Sequence, residues 1–244
     1  EEDRVWRSGL PVGETATLEV RALARYSRSG EGLHRYADPE DGEVYLYTQF
    51  EPNDAHRAWP CVDQPDVKPA WTFHVIAPQD WVVFSNGVEV GVETTADGVT
   101  RRDFSTTPPL SSYITAVVAG PWAVIEGPTW SGGGADGGHV ELPLRLACRR
   151  TLARYLDSED VFEVTCAGLD FFHERYGITF PWGSYDQIYV PEYNLGAMEN
   201  PGCITFNEYY ISRSTPTFPD SQRRPNTTLP EMRHIWFRDQ ATPA

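Results

Sequence analysis

Two short segments hold the side chains that are best suited to chemistry. The first is Leu195–Gly202, where the run Gly-Ala-Met-Glu-Asn contains Glu199. The second is Pro230–Asp239, which places Glu231 and His234 three positions apart. A carboxylate can act as a general base or pair with a cationic group, and an imidazole can bind a metal ion. The two segments therefore predict a site for a cationic ligand, a metal ion or acid–base chemistry.

These segments resemble two motifs of one protein family. The run Gly196–Asn200 is similar to the exopeptidase signature of the aminopeptidase N family of gluzincin zinc metallopeptidases. The segment Pro230–Asp239 resembles that family's zinc helix, usually His-Glu-Met-Ala-His-x-Trp-Phe-Gly-Asp. Tyr47–Pro52, Trp59–Pro65 and Tyr185–Gln187 also agree with the family. The resemblance covers nearly the whole chain, and actinobacterial members are the most similar.

The resemblance implies that the substrate is a peptide with a free N-terminus. It makes Glu199 the main partner of the α-ammonium group and Glu51 the second, with Gln49 beside it. A buried ammonium needs negative partners, so carboxylates suit this role. Two structural alternatives stay open: Glu199 as a solvated loop carboxylate, and Glu51 as an ordinary acidic residue before a proline in a turn.

The same signature implies a backbone contact with the peptide. The backbone of Gly196 and Ala197 would lie along the substrate and bind it as an added strand. Small residues at these positions let two backbones approach closely. Met198 and Asn200 belong to the same substrate-binding segment.

The zinc helix departs from the family pattern at a metal ligand. A catalytic zinc site needs three protein ligands and one open position, but the first histidine position is Pro230, which has no metal-binding atom. The family's third ligand, a glutamate, falls beyond Ala244, so His234 is the one family ligand retained. Glu231 keeps the general-base position. Zinc is the family's cofactor, yet we expect this chain to bind none and to be inactive as written.

Two arginines depart from the family in the same helix. Arg233 stands where the family has a small residue, and Arg238 stands where it has glycine. We expect both to be costly, because an unpaired guanidinium is unfavourable in a buried helix. Two functions stay open. One is an exopeptidase that releases N-terminal residues with zinc-activated water. The other is a non-catalytic pseudoenzyme or fragment that binds peptide N-termini.

Composition narrows the partners and the compartment. The formal net charge of -15 and the pI near 4.7 argue against nucleic acid, whose phosphates such a chain repels. Four cysteines without a Cys-x-x-Cys pair argue against a disulfide framework and predict a reducing, cytoplasmic location. No apolar run is long enough to span a bilayer, and the charged start Glu1–Arg4 is no signal peptide, so we expect no membrane partner. The chain lacks an initiator methionine, and the resemblance implies that it starts inside the family's first domain and ends inside the second, so we expect a piece truncated at both ends.

Other candidate sites are weaker. The loop Ser131–Gly138 reads either as a hairpin tip or as a phosphate-binding loop, and the hairpin is favoured because Val140–Cys148 looks like a strand rather than a helix. Cys203 is either a nucleophile or a small core residue. A Ser-His-Asp triad stays open, although no Gly-x-Ser-x-Gly elbow occurs. His173 has Gly177 four positions later, so it forms only half of a zinc motif.

The elements that must hold these residues follow from hydrophobic periodicity. Before residue 144, short alternating runs bounded by Pro, Gly, Asn and Asp predict an antiparallel sheet or sandwich. These runs are Ala16–Ala22, Glu43–Gln49, Ala70–Ile76, Trp81–Phe84, Thr100–Phe104 and Tyr113–Val118. Later residues predict a helix from Asp157 to Gly177, strands at Tyr185–Val190 and Gly202–Phe206, and a helix over Arg223–Gln240.

These elements predict two domains. Residues 1–143 form an incomplete β domain, which the resemblance makes saddle-like. Residues 144–244 form the first part of an α+β domain, thermolysin-like by resemblance, that ends on the degenerate zinc helix.

Overall fold

A computed structural model describes residue 13 and residues 17–95, 97–134, 136–214 and 218–237, without the side chains of 218–224 and 237. Within these ranges the chain is mostly β. Its strands, β1 to β12 in chain order, are Gly32–Ala37, Val44–Gln49, His74–Pro78, Val82–Ser85, Glu89–Thr94, Val99–Phe104, Val117–Gly120, Ala123–Gly133, His139–Cys148, Tyr185–Val190, Ala197–Met198 and Cys203–Asn207. Its α-helices are α1, Ser158–Tyr176, and α2, Phe218–Phe237.

The strands form three sheets. An antiparallel sheet has the order β1-β2-β7-β4, and a smaller antiparallel sheet has the order β3-β6-β5. The third sheet has the order β11-β12-β10-β9-β8 and is mixed, because β10 runs parallel to both β9 and β12. The parallel strand β10 is buried at every residue, as expected for a strand covered on both faces.

Helix α1 begins and ends where the sequence predicts. The Asp157 side chain accepts a hydrogen bond from the Asp160 backbone N–H, so it caps the first turn. Gly177 adopts a left-handed conformation with φ of 64° and closes the C-terminus. The buried face of α1 includes Val161 and Leu169, and it packs against β8 and α2.

Helix α2 runs through two prolines, Pro225 and Pro230. It buries Met232, Ile235 and Trp236 in the main core. Pro230 lies on the exposed face and has no N–H to donate to the carbonyl one turn before it. That carbonyl can be hydrated instead. The helix therefore persists because its buried face packs well, although proline is unfavourable inside a helix.

One continuous core joins the first sheet to the third sheet and both helices. It includes Tyr45 and Tyr47 from β2, Tyr189 from β10, Phe206 from β12 and Trp236 from α2. A smaller core of buried residues lies between the first two sheets. The predicted boundary at residues 143 and 144 falls inside β9 and stays a prediction.

The predicted fold class is confirmed, but several predicted elements were wrong in detail. The alternating run at 16–22 forms no strand in its described part, 17–22, where Leu18 and Val20 are exposed and no neighbouring strand pairs with them. Residues 112–114 form a 3-10 turn, so the predicted strand there begins only at Val117. The loop after Ser131 is the hairpin tip between β8 and β9, as predicted. Strands β1, β5, β8 and β11 were not among the predicted strands.

Within the described ranges, no helix combines the length and the apolar character needed to cross a membrane. The predicted location and the predicted lack of a membrane partner stay predictions.

A buried ion cluster ties the first and third sheets together. Arg149, which follows β9, forms two hydrogen bonds with the Glu208 carboxylate at 2.7 and 2.8 Å, and a third with Asp38. The Thr151 hydroxyl donates to the same Asp38 carboxylate at 2.7 Å. The side chains of Arg149 and Asp38 are almost completely withdrawn from water. Each charge in this cluster therefore depends on its partners to offset its lost hydration.

We predict that Arg149→Met lowers the free energy of unfolding by about 3–5 kcal/mol, because it leaves the Asp38 carboxylate buried without its cation. Urea denaturation measures the change. The control is Arg154→Met: Arg154 contacts Glu40 at 3.4 Å but is largely exposed, so its loss costs less than about 1 kcal/mol. Equal effects of the two substitutions would contradict the role given to the cluster.

Candidate functional site

Strand β2 reaches the signature segment through alternate residues on one face. The Tyr47 hydroxyl donates to the Glu192 backbone carbonyl at 3.1 Å. Gln49 contacts the Met198 sulfur through Nε2 at 3.9 Å and accepts a hydrogen bond from the Tyr193 hydroxyl at 2.6 Å. Since side chains alternate along a strand, one face of β2 supplies both contacts. Gln49 and Met198, two of the predicted substrate-binding residues, are thus brought together.

Tyr193 is the centre of a chain of buried hydrogen bonds. Burial raises the pKa of Tyr193 well above its usual value, so its phenol keeps the proton that it donates to Gln49. The Thr205 hydroxyl lies 2.8 Å from the Tyr193 oxygen, and Asn200 Nδ2 donates to that same hydroxyl at 3.4 Å. This Asn200–Thr205–Tyr193–Gln49 chain fixes the signature segment to both β12 and β2.

The signature segment includes the last strand of its sheet in the described part of the chain. Ala197 and Met198 form β11, which pairs with β12 on one side. The Gly196 carbonyl accepts a hydrogen bond from the Asn207 backbone N–H at 2.8 Å. A Cβ at Gly196 would lie 3.0 Å from the Tyr210 hydroxyl, so glycine suits this tight position. An edge strand built in this way can accept an added strand.

Glu199 lies directly after β11 and is 3% exposed. Its Oε1 atom is 3.5 Å from Nδ1 of His234 on α2. The structure therefore places the two most specific predicted residues in contact, although they come from different elements. Glu199 is no solvated loop carboxylate, so that alternative was wrong. A carboxylate withdrawn from water in this way needs cationic or hydrogen-bonding partners.

Glu231 faces the same region from α2 and is partly buried. Tyr185 and Tyr193 have pKa values raised first by burial and further by the nearby Glu231 carboxylate. Glu51 lies two residues beyond Gln49, partly exposed, and precedes Pro52 in a cis peptide bond. The general-base and second-amine roles of Glu231 and Glu51 stay predictions.

The residues present on α2 do not fit a zinc site of the family type. Position 230 is a proline on the exposed face and supplies no donor atom. His234 has Glu199 as its neighbour at 3.5 Å. In the ranges that the structure describes, no three His, Cys, Asp or Glu side chains are grouped as metal ligands would be. The absence of bound zinc stays a prediction.

The other sequence hypotheses resolve in different ways. Arg233 is exposed, so the expected cost of burying its guanidinium was wrong, while Arg238 lies outside the described residues. Cys203 is fully buried, and burial raises the pKa of its thiol well above the usual value, which favours the core alternative. His173 packs edge-on against Trp130 in the interior.

Sequence reasoning missed the residues that hold the signature in place. Tyr193 and Thr205 carry no recognisable motif, and only the folded structure brings their hydroxyl groups together. Asn86 follows the predicted strand Trp81–Phe84 and was expected to lie in a turn. Its buried side-chain amide instead donates to the Pro201 carbonyl at 2.8 Å and so holds the end of the signature segment. The local sequence carries no sign of this contact, because the Asn86-Gly87 pair favours a turn.

Two parts of the chain match the models of known protein domains. Residues 7–114 match the peptidase M1 N-terminal domain, and residues 161–244 match the peptidase family M1 domain. The chain is 41% identical to an aminopeptidase N of Streptomyces lividans, over 99% of this chain and 27% of that protein. It is 30% identical to an aminopeptidase N of Haemonchus contortus, over 97% of this chain and 24% of that protein.

A third relative is the aminopeptidase N of Bos taurus, 26% identical over 97% of this chain and 24% of that protein. The chain thus spans about a quarter of the length of these curated relatives. Both family matches and the identity to the Streptomyces lividans protein lead to one assignment: the chain belongs to peptidase family M1.

Proposed function

We propose that this part of an M1 protein binds the free amino terminus of a peptide, with the Glu199 carboxylate as the main partner of the ammonium group. The observation that carries the proposal is the burial of Glu199 directly after the edge strand β11. A buried carboxylate forms strong, charge-assisted hydrogen bonds with an ammonium group. Glu51 and Gln49, at the end of β2, form the other side of this amine site.

The backbone of β11 supplies the second part of the proposal. A peptide that pairs with Gly196 and Ala197 as an added strand would bring its first residue to Glu199, which follows in the chain. Backbone pairing is indifferent to side chains, so it suits a site that recognises the end of a peptide rather than its sequence. Met198 is buried and contacts Gln49, so it anchors β11 to the core.

The relatives are aminopeptidases, so the family as a whole has hydrolase and metallopeptidase activity. For this chain we propose the non-catalytic alternative, in which amine recognition is kept and zinc is not held. Its support is Pro230 in the first ligand position. The predictions of a cytoplasmic location and of no nucleic-acid partner rest on composition alone.

We predict that Glu199→Gln weakens the binding of Ala-Ala-Ala by tenfold or more, because a hydrogen bond to a charged group contributes about 1.5–3 kcal/mol. Glu51→Gln weakens it less, since Glu51 is more exposed. Isothermal titration calorimetry measures the dissociation constants.

The matched control is Glu163→Gln, an identical change at an exposed position of α1. It leaves the affinity unchanged. A Glu199→Gln variant that binds as tightly as the Glu163→Gln variant would refute the amine site.

We predict that the purified chain retains no stoichiometric zinc after dialysis, and that Pro230→His increases its zinc affinity by about tenfold or more. The substitution places two imidazoles at i and i+4, on one face of α2, and histidine is a strong zinc ligand. Competition with a fluorescent zinc chelator measures the affinity without relying on turnover.

The control for this experiment is Arg233→His, which adds a histidine next to His234 on a different side of the helix. It leaves the zinc affinity near that of the unmodified chain. Stoichiometric zinc in the unmodified chain, or equal gains from the two variants, would contradict the ligand assignment.

A further inference from the structure

The segment that leads into β11 contains a residue in a rare conformation. In the described ranges, Glu192 is the single residue other than glycine with a positive φ, at 50°. Such a conformation is unfavourable for a residue with a Cβ, and it persists only where the surroundings hold it. Glu192 stands four residues before Gly196, and its side chain is 57% exposed. The question is therefore what holds Glu192 in place.

Both the side chain and the backbone of Glu192 are held from the first sheet. Its Oε2 atom lies 3.1 Å from Nε2 of His34 on β1. Its backbone carbonyl accepts the hydrogen bond from the Tyr47 hydroxyl on β2. Two neighbouring strands thus fix one residue at two points.

His34 is built to donate to Glu192. Its ring is fully buried, and Nδ1 accepts a hydrogen bond from the Gly30 backbone N–H at 3.0 Å. Burial lowers the pKa of His34 below its usual value of 6.5 and outweighs the opposite effect of Glu192, so the ring is neutral at pH 7. A neutral imidazole that accepts at Nδ1 carries its proton on Nε2. The Nε2–H group therefore donates to the Glu192 carboxylate.

A second contact holds the same segment two residues later. The Asn194 side chain donates to the Ser29 carbonyl at 2.6 Å and lies against Gly30. A Cβ at Gly30 would come within 2.6 Å of Asn194 Nδ2, so glycine is required for this close approach. The path from Glu192 to Gly196 is thus held by the turn before β1 and by β1 and β2. Asn207 also holds it, because its side chain donates to the Tyr193 and Leu195 carbonyls.

We propose that Glu192 is a positioning residue for the amine site: its contact with His34 sets the path of the segment that enters β11. This inference rests on the proposed function, because Gly196, Ala197 and Glu199 follow on that path. When the contact is lost, the segment is no longer tied to β1, and the edge that receives the peptide shifts with it. Glu192 itself does not contact the ammonium group.

Two substitutions at position 192 separate the effect of the side-chain contact with His34 from the effect of the backbone conformation. Glu192→Gln keeps the side-chain length and an oxygen that accepts from His34. Glu192→Asn tolerates the positive φ but is one methylene shorter and cannot reach His34. Because the side chain at position 192 is exposed, both variants are expected to fold, and thermal unfolding checks this.

The test combines hydrogen exchange with peptide binding in the full chain. The first readout is the exchange rate of the Asn207 backbone N–H, which donates to the Gly196 carbonyl. The exchange rate of the Ile188 backbone N–H in β10 is the internal reference. The second is the affinity for Ala-Ala-Ala. We expect Glu192→Asn to speed Asn207 exchange and weaken peptide binding by about tenfold each, the effect of one lost charge-assisted hydrogen bond. Glu192→Gln keeps both values within about threefold, since a neutral acceptor loses only part of that bond.

The outcomes decide separately on the two proposals. If Glu192→Asn leaves the exchange of the Asn207 backbone amide unchanged, Glu192 is no positioning residue. The same holds if the variant speeds this exchange without lowering the affinity for Ala-Ala-Ala. If Glu192→Gln is as damaging as Glu192→Asn, the contact with His34 is not the cause, and the inference also fails. If the unmodified chain binds no Ala-Ala-Ala, the proposed amine site fails, and Asn207 exchange alone decides whether Glu192 sets the path of β11.

Discussion

The site depends on one buried chain of hydrogen bonds between two parts of the molecule. Asn200 and Thr205 belong to the β11–β12 region, Tyr193 to the preceding segment and Gln49 to the end of β2. Buried polar groups are costly unless each has a partner. These four side chains can therefore meet their requirements only when β2 and the signature segment come together. The same constraint that joins the two sheets also shapes the candidate amine site.

The Glu199 carboxylate extends this arrangement to helix α2 through its contact with His234. In the family pattern that histidine would hold zinc, and here Pro230 removes its partner on the helix. Glu199 lies between β11 and Asn200 of the hydrogen-bond chain, so its place in the fold does not depend on the side chain at position 230. The proposed function therefore keeps the recognition of a peptide end without hydrolysis.

Much of the fold and part of the site could be predicted from the sequence. Helix α1 carries its own signals in Asp157 and Gly177, and the signature run identified Glu199. The strand at 16–22 was wrongly predicted because alternation alone does not supply a neighbouring strand. Tyr193 and His34 could not be predicted, since their roles depend on partners 144 and 158 residues away. Contacts between distant segments leave no local pattern in either one.

The most direct test of the central claim compares two peptides on the unmodified chain. Ala-Ala-Ala and its N-acetylated form differ in the ammonium charge and share the backbone that would pair with β11. We expect the free-amine peptide to bind tighter by tenfold or more, the effect of one charge-assisted hydrogen bond of about 1.5–3 kcal/mol. Equal dissociation constants from calorimetry would contradict it, because Glu199 would then play no part in recognising the amino terminus.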